Sequence, residues 1–381
     1  MKQSNSNNLS QIPEFGDTVK CWREDDKQYI RCKILSVRET NRKESKFYVS
    51  YDNINKRFDE WVTIDMFDLS TLSKNLANQS TKRPRQETEQ SCEADLRFLG
   101  ITRNVEYLRL GDFKIKAWYF SPLPEPYYDL EVLYCCEFCM HFFQTEPEFI
   151  DHCCRCTTTH PPGDEIYRKG NVSVYEVDGS YSTRWCINLC LITKLFLYHK
   201  TAYYDPTPFH FYVICFNDIR GARPCGFFSK EKKFDCANNL ACILAFPPYH
   251  RSGVGRFLIS LSYEFSKIEK RPGSPEKPLS DLGLVAYRSF WKSALIQCLI
   301  LHKGQQLSIS QISQETAMTE NDIKFAARDG GFIVKAEDKE WVFGVTSKQI
   351  ADWKKKENQR RLKMDPRFIR WTPHFRRETN R

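Results

Sequence analysis

Leu240-Ala-Cys-Ile-Leu-Ala-Phe246 is an apolar run that ends at two prolines, and the loop Tyr249-His-Arg-Ser-Gly-Val-Gly-Arg256 follows them directly. Beyond the loop, apolar side chains recur at helical spacing and predict a helix with one buried face: Leu258, Leu261, Phe265 and Ile268. A strand, a glycine loop and a helix in this order present backbone N–H groups and a positive helix end to a phosphate. A second loop, Gly273-Ser-Pro-Glu-Lys-Pro-Leu-Ser-Asp-Leu-Gly283, makes the pattern more specific than a bare Gly-x-Gly.

Four segments of this stretch resemble the catalytic domain of the MYST histone acetyltransferases. They are Ala241-Cys-Ile-Leu244 with Pro247-Pro-Tyr249, Arg251-x-Gly253-x-Gly255, the second loop, and Tyr287-Arg-Ser-Phe-Trp291. The resemblance is closest to the subgroup with a chromo-barrel. It implies an α+β chain, in which a small N-terminal β-barrel (chromo-barrel or Tudor-knot) precedes a mixed α/β, acetyl-CoA-dependent N-acetyltransferase. That second part would have a GNAT-like core, a Cys2HisCys zinc finger and a C-terminal winged-helix-like part.

Composition sets the class of protein. The 381 residues are 41% hydrophobic and 14% aromatic, which is enough for two or three domains with cores of their own. A formal net charge of +9 favours polyanionic partners such as nucleic acid. The sequence shows no run of eighteen apolar residues and no signal-peptide core, so we expect a soluble intracellular chain without a membrane partner. The sixteen cysteines are then reduced thiols, some of them metal ligands.

Changes in composition predict the domain boundaries. We expect a disordered N-terminus over 1–13, a chromo-barrel over 14–72, a flexible linker over 73–96, an acetyltransferase domain over 97–373 and a basic tail over 374–381. Within the acetyltransferase domain we expect the zinc finger at 134–160, the acetyl-CoA core at 161–295 and the winged-helix-like part at 296–373. Lys82-Arg-Pro-Arg85 in the linker is either part of a nuclear localisation signal or a solvated basic segment.

Short alternating segments predict the strands of the barrel. They are Thr18–Trp22, Tyr29–Leu35, Lys46–Tyr51 and Asp59–Val62. Five aromatic residues in or beside them could line a cage for a methylated lysine through cation–π attraction, or could simply form the barrel core: Trp22, Tyr29, Tyr48, Tyr51 and Trp61.

Cys136-x2-Cys139-x12-His152-x3-Cys156 has the ligand types and spacing of a structural zinc site. Four such ligands close a tetrahedron and leave no position for a reactive water, so the ion would organise structure only. Cys153 and Cys154 are alternative ligands, although a ligand directly after His152 has poor reach. Direct DNA reading by this finger is disfavoured because a single short helix follows Cys139.

Three further segments predict secondary structure, and all resemble parts of the family's catalytic domain. Glu165–Gly179 has the pattern of two strands around a turn, and Cys186–Leu197 that of a buried amphipathic helix. Ser308–Ile323 has the pattern of a helix–turn–helix that completes a peptide groove. Lys200 falls on the position that the family autoacetylates; from sequence alone it is an ordinary lysine at a helix end.

Acetyl transfer to lysine needs a general base, because the amine has a pKa near ~10.4 and is protonated at neutral pH. By resemblance that base is Glu276, held between prolines; its alternative is a surface glutamate paired with Lys277. Cys242 matches the active-site cysteine of the family. It would either accept the acetyl group or only shape the pocket, and we prefer direct transfer because the local motif offers no histidine to activate the thiol.

The resemblance also implies how acetyl-CoA is held. The backbone amides of Ile243, Leu244 and Ala245 would bind the pantetheine and the thioester. The loop would wrap the pyrophosphate, with two serines as further contacts; these residues are His250, Arg251, Ser252, Gly253, Val254, Gly255, Arg256, Ser280 and Ser289. His250 departs from the Gln or Arg usual in the family, which bears on cofactor affinity and leaves catalysis intact.

The expected function is therefore lysine acetylation of nucleosomal core histone tails in the nucleus, as the catalytic subunit of a multiprotein acetyltransferase complex. Basic segments such as Lys354–Arg377 would add non-specific contacts to DNA or RNA. One alternative is a catalytically weak chromatin-binding scaffold, which loss of Glu276, Cys242 or the glycine loop would favour. Another is a sequence-specific zinc-finger transcription factor, which would need tandem fingers.

Overall fold

The computed structural model describes residues 12–39, 45–75, 103–198, 205–233, 238–335 and 341–374, which fall into two compact units. The N-terminal unit extends to Leu108 and includes Lys116–Leu133 and Lys194–Tyr198; the catalytic unit comprises the other described residues. Lys82-Arg-Pro-Arg85, Lys200 and most of the predicted linker and basic tail lie outside the described residues.

The N-terminal unit is built on a five-stranded antiparallel sheet of order β4-β3-β2-β1-β5. Its strands are β1 (Thr18–Arg23), β2 (Gln28–Glu39), β3 (Ser45–Tyr51), β4 (Glu60–Thr63) and β5 (Phe67–Ser73). Alternate side chains enter one core, among them Val19, Ile34 and Phe47, which are almost fully buried. The four predicted strands are confirmed, and β5 is an additional strand that closes the other edge.

Four short strands and one helix connect this sheet to the catalytic core along the chain. They are β6 (Val105–Leu110), β7 (Phe113–Lys116), β8 (Leu130–Cys135), β9 (Phe142–Phe143) and α1 (Glu146–Arg155). Strands β8 and β9 pair antiparallel, so the turn between them is tight. A tight turn between two strands, followed by a helix, is the arrangement expected around the predicted zinc ligands.

The core of the catalytic unit is a five-stranded antiparallel sheet of order β10-β11-β12-β13-β15. Its strands are β10 (Asp164–Lys169), β11 (Val172–Asp178), β12 (Phe209–Asp218), β13 (Gly221–Glu231) and β15 (Ile243–Ala245), and β14 (Asn238–Leu240) precedes the last of them. The predicted strand pair within Glu165–Gly179 is confirmed as β10 and β11.

The apolar run Leu240–Phe246, which the sequence predicts as one strand, is divided by a β-bulge. Ala241 N–H donates to the Ser229 carbonyl at 2.7 Å, and Ser229 N–H donates to the Cys242 carbonyl at 2.8 Å. Two residues on one strand therefore oppose a single residue on β13, which is the definition of a bulge. Before the bulge β14 pairs parallel with β16 (Ser274–Pro275), and after it β15 pairs with β13.

Helices pack on the sheet and continue into the C-terminal part. They are α2 (Thr183–Lys194), α3 (Val254–Ile268), α4 (Asp281–Leu301), α5 (Ile309–Thr316), α6 (Glu320–Gly330) and α7 (Ser347–Asn358). The predicted buried helix near Cys186–Leu197 is confirmed as α2. The predicted helix–turn–helix is confirmed as α5 and α6, and the hairpin of β17 (Ile333–Lys335) and β18 (Trp341–Phe343) follows it.

The buried face of α3 is predicted correctly except at its last member. Leu258, Leu261 and Phe265 are fully buried, whereas Ile268 is 40% exposed. The reason is that α3 ends at Ile268 with Glu269 as its cap, so this side chain lies beyond the packed turns.

Helix α4 is the one helix among the described residues that is long and apolar enough to cross a membrane by length and composition. In this fold it is a core helix, because Tyr287, Trp291 and Leu295 are buried in the catalytic unit. Trp291 Nε1 donates to the buried Tyr263 hydroxyl at 2.7 Å, which ties α4 to α3.

The last described segment, residues 359–374, is named here the C-terminal strap. Arg370 N–H donates to the Ile166 carbonyl at 2.7 Å, and Ile369 forms an antiparallel bridge with Tyr167, so the strap follows the edge strand β10. Trp371 then stacks on Phe265 of α3, with ring centroids 4.0 Å apart. The strap therefore links the edge strand β10 to α3, the helix that follows the glycine loop.

Trp371→Ala should lower the free energy of unfolding of the catalytic unit by about 3–5 kcal/mol, because it removes a large buried aromatic side chain. The measurement is chemical denaturation followed by fluorescence and circular dichroism. Phe368→Ala on the same strap is the matched control, since Phe368 is 38% exposed and should cost far less. If Trp371→Ala lowers the free energy of unfolding as little as Phe368→Ala is expected to, the strap contributes little packing at Trp371.

Candidate functional site

Four predicted ligand residues converge in the catalytic unit. The ligand atoms of Cys136, Cys139, His152 and Cys156 all lie within 4.8 Å of one another. The Cys136 and Cys156 sulfurs are 4.0 Å apart, and Cys139 Sγ lies 3.3 Å from His152 Nε2. Sulfur atoms around zinc lie about 3.8 Å apart when each Zn–S bond is about 2.3 Å long. The donor set and its spacing therefore fit a tetrahedral zinc ion.

Local structure explains why these ligands meet. The turn after β8 is closed by Cys136 N–H donating to the His141 carbonyl at 3.0 Å, which places the first two cysteines in one knuckle. Helix α1 presents His152 and starts with a capping box between Thr145 and Glu148. The alternative ligands Cys153 and Cys154 are both exposed. The quartet expected from spacing is the one that the fold brings together.

The second loop is anchored to the helix–turn–helix. Gly273 N–H donates to the Ala317 carbonyl at 3.0 Å, just after α5. Lys277 Nζ lies 3.8 Å from the carboxylate of Asp322, whose side chain is only 3% exposed in the first turn of α6. This long pair links the loop that carries Glu276 to α6, but Lys277 is 62% exposed, so the pair adds little stability. Sequence reasoning missed Asp322, because no pattern in the chain pairs it with the loop.

The same loop lies against the bulge. Glu276 N–H donates to the Leu240 carbonyl at 3.0 Å, two residues before Cys242. The Glu276 side chain is exposed and the Cys242 side chain is half-buried. Cys242 N–H donates to Ser229 Oγ at 3.2 Å, so Ser229 holds the bulge with its backbone and its side chain. The backbone of the predicted base is thus bonded two residues before the predicted active-site cysteine.

Strand β15 lies at the end of the sheet order, and its pairing shows which amides face outward. Phe246 N–H donates to the Cys225 carbonyl, and the Cys242 carbonyl accepts from Ser229. Hydrogen-bonded pairs alternate along an antiparallel ladder, so Leu244 is directed at β13. Of the three predicted amides, those of Ile243 and Ala245 therefore point to the open edge. His250 Nε2 lies 3.1 Å from the Ala245 carbonyl and holds the loop against this edge.

The glycine loop leads into the N-terminus of α3. Gly253 is the N-cap residue with φ of +99°, a left-handed conformation that suits glycine, and no side chain caps the helix. A Cβ at Gly255 would meet nothing within 4 Å, so the space beside the first turn is open. The first-turn N–H groups have no partner within the helix and can serve an anion. Arg251 and Ser252 are exposed in this loop.

Arg256 is the cationic side chain of the first turn. Burial, with Arg360 adding to the effect, lowers the pKa of Arg256 to about 10. Its Nη1 is buried without a hydrogen-bond partner, and its Nη2 is 3.9 Å from the Glu357 carboxylate. A buried guanidinium with an unsatisfied donor gains from an anion. Arg256 together with the open first turn of α3 therefore fits a pyrophosphate-bearing cosubstrate.

Other residues of the site have structural duties as well. Ser280 is the N-cap of α4 and accepts from Gly283 N–H at 3.1 Å, while Ser289 is exposed within the same helix.

Gly226 was missed by sequence reasoning. A Cβ there would lie 2.7 Å from the Leu244 carbonyl, so only glycine lets β13 and β15 approach this closely. An isolated glycine within a predicted strand is the signal that could have revealed it.

The barrel aromatics divide between core and surface. Tyr48 and Tyr51 are buried, and burial raises the pKa of both phenols well above its usual range. Tyr29 is exposed and packs edge-on against Trp22. The Arg23 guanidinium lies 5.6 Å from the Tyr51 ring centroid, so a cation of the chain itself takes one of the predicted cage faces. The interpretation as barrel core fits Tyr51, which belongs to the core cluster, whereas Tyr48 alternates with the core residues of β3 and packs against Trp61.

Comparison with known proteins adds independent evidence. The model of the MOZ/SAS family matches residues 160–369, that of the MYST family zinc finger domain residues 102–156, and that of the RNA binding activity-knot of a chromodomain (Tudor-knot) residues 15–69. A rice protein described as a putative MYST-like histone acetyltransferase 1 is 41% identical over 342 residues, 82% of this chain and 75% of the relative.

Two further relatives have similar names. Histone acetyltransferase ESA1 of Kluyveromyces lactis is 37% identical over 416 residues, covering 96% of this chain and 94% of its own length. Histone acetyltransferase of the MYST family 1 of Arabidopsis thaliana is 40% identical over 334 residues, covering 81% of this chain and 74% of its own.

Replacing a ligand of the cysteine-histidine quartet should release its metal. We expect Cys139→Ser to retain no zinc after dialysis into metal-free buffer and to lose the fold of the 134–160 segment, because structural zinc sites contribute folding energy directly. The measurement is metal content by mass spectrometry, combined with limited proteolysis. Cys154→Ser, which changes an exposed neighbouring thiol, should keep one zinc per chain. Zinc loss from Cys154→Ser instead would assign the ligands differently.

Proposed function

The chain belongs to the MOZ/SAS family of MYST histone acetyltransferases, and from this premise we propose that Glu276 is the general base of the site. It is a histone acetyltransferase that uses acetyl-CoA, and its zinc finger fits a structural zinc ion. The observation that supports the proposal is the hydrogen bond from Glu276 N–H to the Leu240 carbonyl, which brings the base loop beside Cys242 at the bulge.

The base is needed because of the substrate's own acidity. At neutral pH roughly one lysine side chain in a few thousand is uncharged, given a pKa of about 10.4. Glu276 is exposed to an incoming amine and lies on a loop anchored by backbone hydrogen bonds to Leu240 and to Ala317. Fixed placement of a carboxylate near the amine lets it take the proton as the new bond forms.

We propose direct transfer. The lysine nitrogen attacks the thioester carbonyl carbon of acetyl-CoA, and its proton passes to Glu276. The carbon–sulfur bond breaks, and CoA leaves as a thiolate that takes up a proton. In the described part of the chain no side chain hydrogen-bonds Cys242 Sγ, so nothing there activates this thiol as a nucleophile. Cys242 then shapes the pocket.

The cosubstrate would be held along β15 and the start of α3. The outward amides of Ile243 and Ala245 would bind the pantetheine arm and the thioester carbonyl. The remaining predicted contacts divide between the loop with its uncapped helix end, which suit the pyrophosphate, and the two serines of α4. These contacts are His250, Arg251, Ser252, Gly253, Val254, Gly255, Arg256, Ser280 and Ser289, whereas the amide of Leu244, the other predicted contact, is directed at β13.

Partners and setting follow from the same premise. We propose that the histone substrate is presented as nucleosomal tails in the nucleus, that the chain is a subunit of a larger acetyltransferase complex, and that basic segments contact nucleic acid. The domain division into 14–72 and 97–373 is proposed on the same basis and is supported by the ranges of the three family models. Lys200 is proposed as an autoacetylation site from the resemblance alone.

Glu276→Gln should lower the turnover number for acetylation of histone octamers by about 10²–10⁴-fold at neutral pH, because the base that removes the amine proton is lost. The deficit should narrow as pH rises, since more of the substrate is then uncharged. Initial rates across this pH range, with site-resolved mass spectrometry of the products, measure it.

Glu264→Gln is the matched control for that change. Its carboxylate lies on α3 and pairs with Lys267 at 2.8 Å, away from the base loop in sequence. It should keep near-wild-type rates. If Glu276→Gln matches wild type at neutral pH while both variants remain folded, Glu276 is not the base.

Cys242→Ala should lower the turnover number less than about tenfold if transfer is direct, since only the shape of the pocket changes. In parallel, wild type incubated with acetyl-CoA but no histone should show no acetylated Cys242 in peptide mass spectra. A loss as large as that of Glu276→Gln, together with a thioester on Cys242 that is absent from the variant, would establish an acetyl-cysteine intermediate.

A further inference from the structure

A second cluster of potential metal ligands lies in the catalytic unit, apart from the cysteine-histidine quartet. One ligand atom each of Glu176, His210 and His374 lies within 4.8 Å of the other two. Glu176 is on β11 and His210 is on β12, where the register pairs Tyr212 with Glu176 and Asp178 with His210. His374 is the last residue of the C-terminal strap. Strand pairing fixes the first two residues, and the strap delivers the third.

The two imidazole rings lie together, and one ring nitrogen has no hydrogen-bond partner. His374 Nε2 lies 3.0 Å from Glu176 Oε1, and the His374 ring stacks on His210 with centroids 4.7 Å apart. His210 is 9% exposed, and its Nδ1 is buried without a hydrogen-bond partner, with the Asp178 carboxylate 3.8 Å away. A buried polar nitrogen without a partner costs free energy. A metal ion bound to that nitrogen would remove the cost.

Neighbouring side chains donate hydrogen bonds to the Glu176 carboxylate, as outer-shell groups do at metal sites. The Tyr212 hydroxyl donates to Glu176 Oε1 at 2.8 Å, and Trp371 Nε1 donates to the same oxygen at 3.0 Å. Outer hydrogen bonds of this kind orient a ligating carboxylate and leave it further lone pairs for an ion. Four cations line the cavity beside the two histidines: Lys230, Lys232, Lys233 and Arg271. Lys232 is paired with Asp178 at 2.6 Å and Lys230 with Glu269 at 2.7 Å, which compensates the charge of these two.

We propose that Glu176, His210 and His374 form a second metal site, which takes a divalent transition-metal ion of the kind that prefers two imidazoles and a carboxylate, such as Zn²⁺ or Ni²⁺. His374 is 55% exposed, and to share the ion its ring would turn out of the stack with His210. Binding fastens the end of the C-terminal strap to strands β11 and β12. The site is independent of the acetyl-transfer chemistry and of the cysteine-histidine quartet.

Equilibrium dialysis of the full chain against buffered Zn²⁺ tests the site. Wild type should bind two zinc ions per chain, and the second should raise the temperature of thermal unfolding. His374→Ala and His210→Ala should each weaken binding of the second ion by more than about tenfold, since loss of outer partners alone costs that much. His374 ends the described chain and is exposed, so its removal leaves the fold intact.

His302→Ala is the matched control, because His302 also faces a carboxylate, that of Glu315 at 3.9 Å, but belongs to no cluster of three among the described residues. It should keep both ions. A wild-type chain that binds one zinc only, or a second zinc that survives both His374→Ala and His210→Ala, would overturn the assignment. The first ion, held by thiolates, should remain in every variant.

Discussion

The catalytic unit depends on the β-bulge at which Ser229 opposes both Ala241 and Cys242. A regular ladder through this run would direct the backbone of all seven residues to β13 on a fixed alternation. The extra residue changes the partner instead, so β14 is released to pair with β16 and β15 returns to β13. Because β16 ends at Pro275, its pairing with Leu240 delivers the next residue, Glu276, to the bulge. The position of Glu276 beside the bulge is thus a consequence of hydrogen-bond register.

The bulge also determines where β15, the glycine loop and the start of α3 lie. Strand β15 is only three residues long and is followed by a turn that starts the glycine loop, so its outward amides and the uncapped end of α3 lie close together along the chain. Gly226 keeps the neighbouring strand close enough for this arrangement. A cosubstrate with an extended arm and a pyrophosphate matches such a surface, because extended chains bind to strand edges and anions bind to helix starts.

Sequence reasoning predicted those parts of the fold that local patterns determine. Alternation found four strands of the barrel, helical spacing found α3, and ligand spacing found the quartet around His152. It failed where a residue acts through a distant partner: Ser229, Gly226 and Asp322 are unremarkable in the sequence, and only strand pairing and burial give them a role. Likewise, Ile268 fits the period of α3, but the helix ends there. The site residues Glu276 and Cys242 came from a resemblance, because neither residue alone differs from an ordinary surface glutamate or strand cysteine.

The C-terminal strap extends this dependence to the end of the described chain. Helix α3 is held at both ends by it: a Cβ added at Gly253 would lie 3.1 Å from Leu362, and Phe265 stacks on Trp371. Helix α3 in turn carries the uncapped first turn proposed for the cosubstrate, so the strap supports that turn although it contributes no predicted contact to it. Packing is close at protein interiors and transmits displacement. The packing of α3 therefore depends on the strap between Leu362 and Trp371.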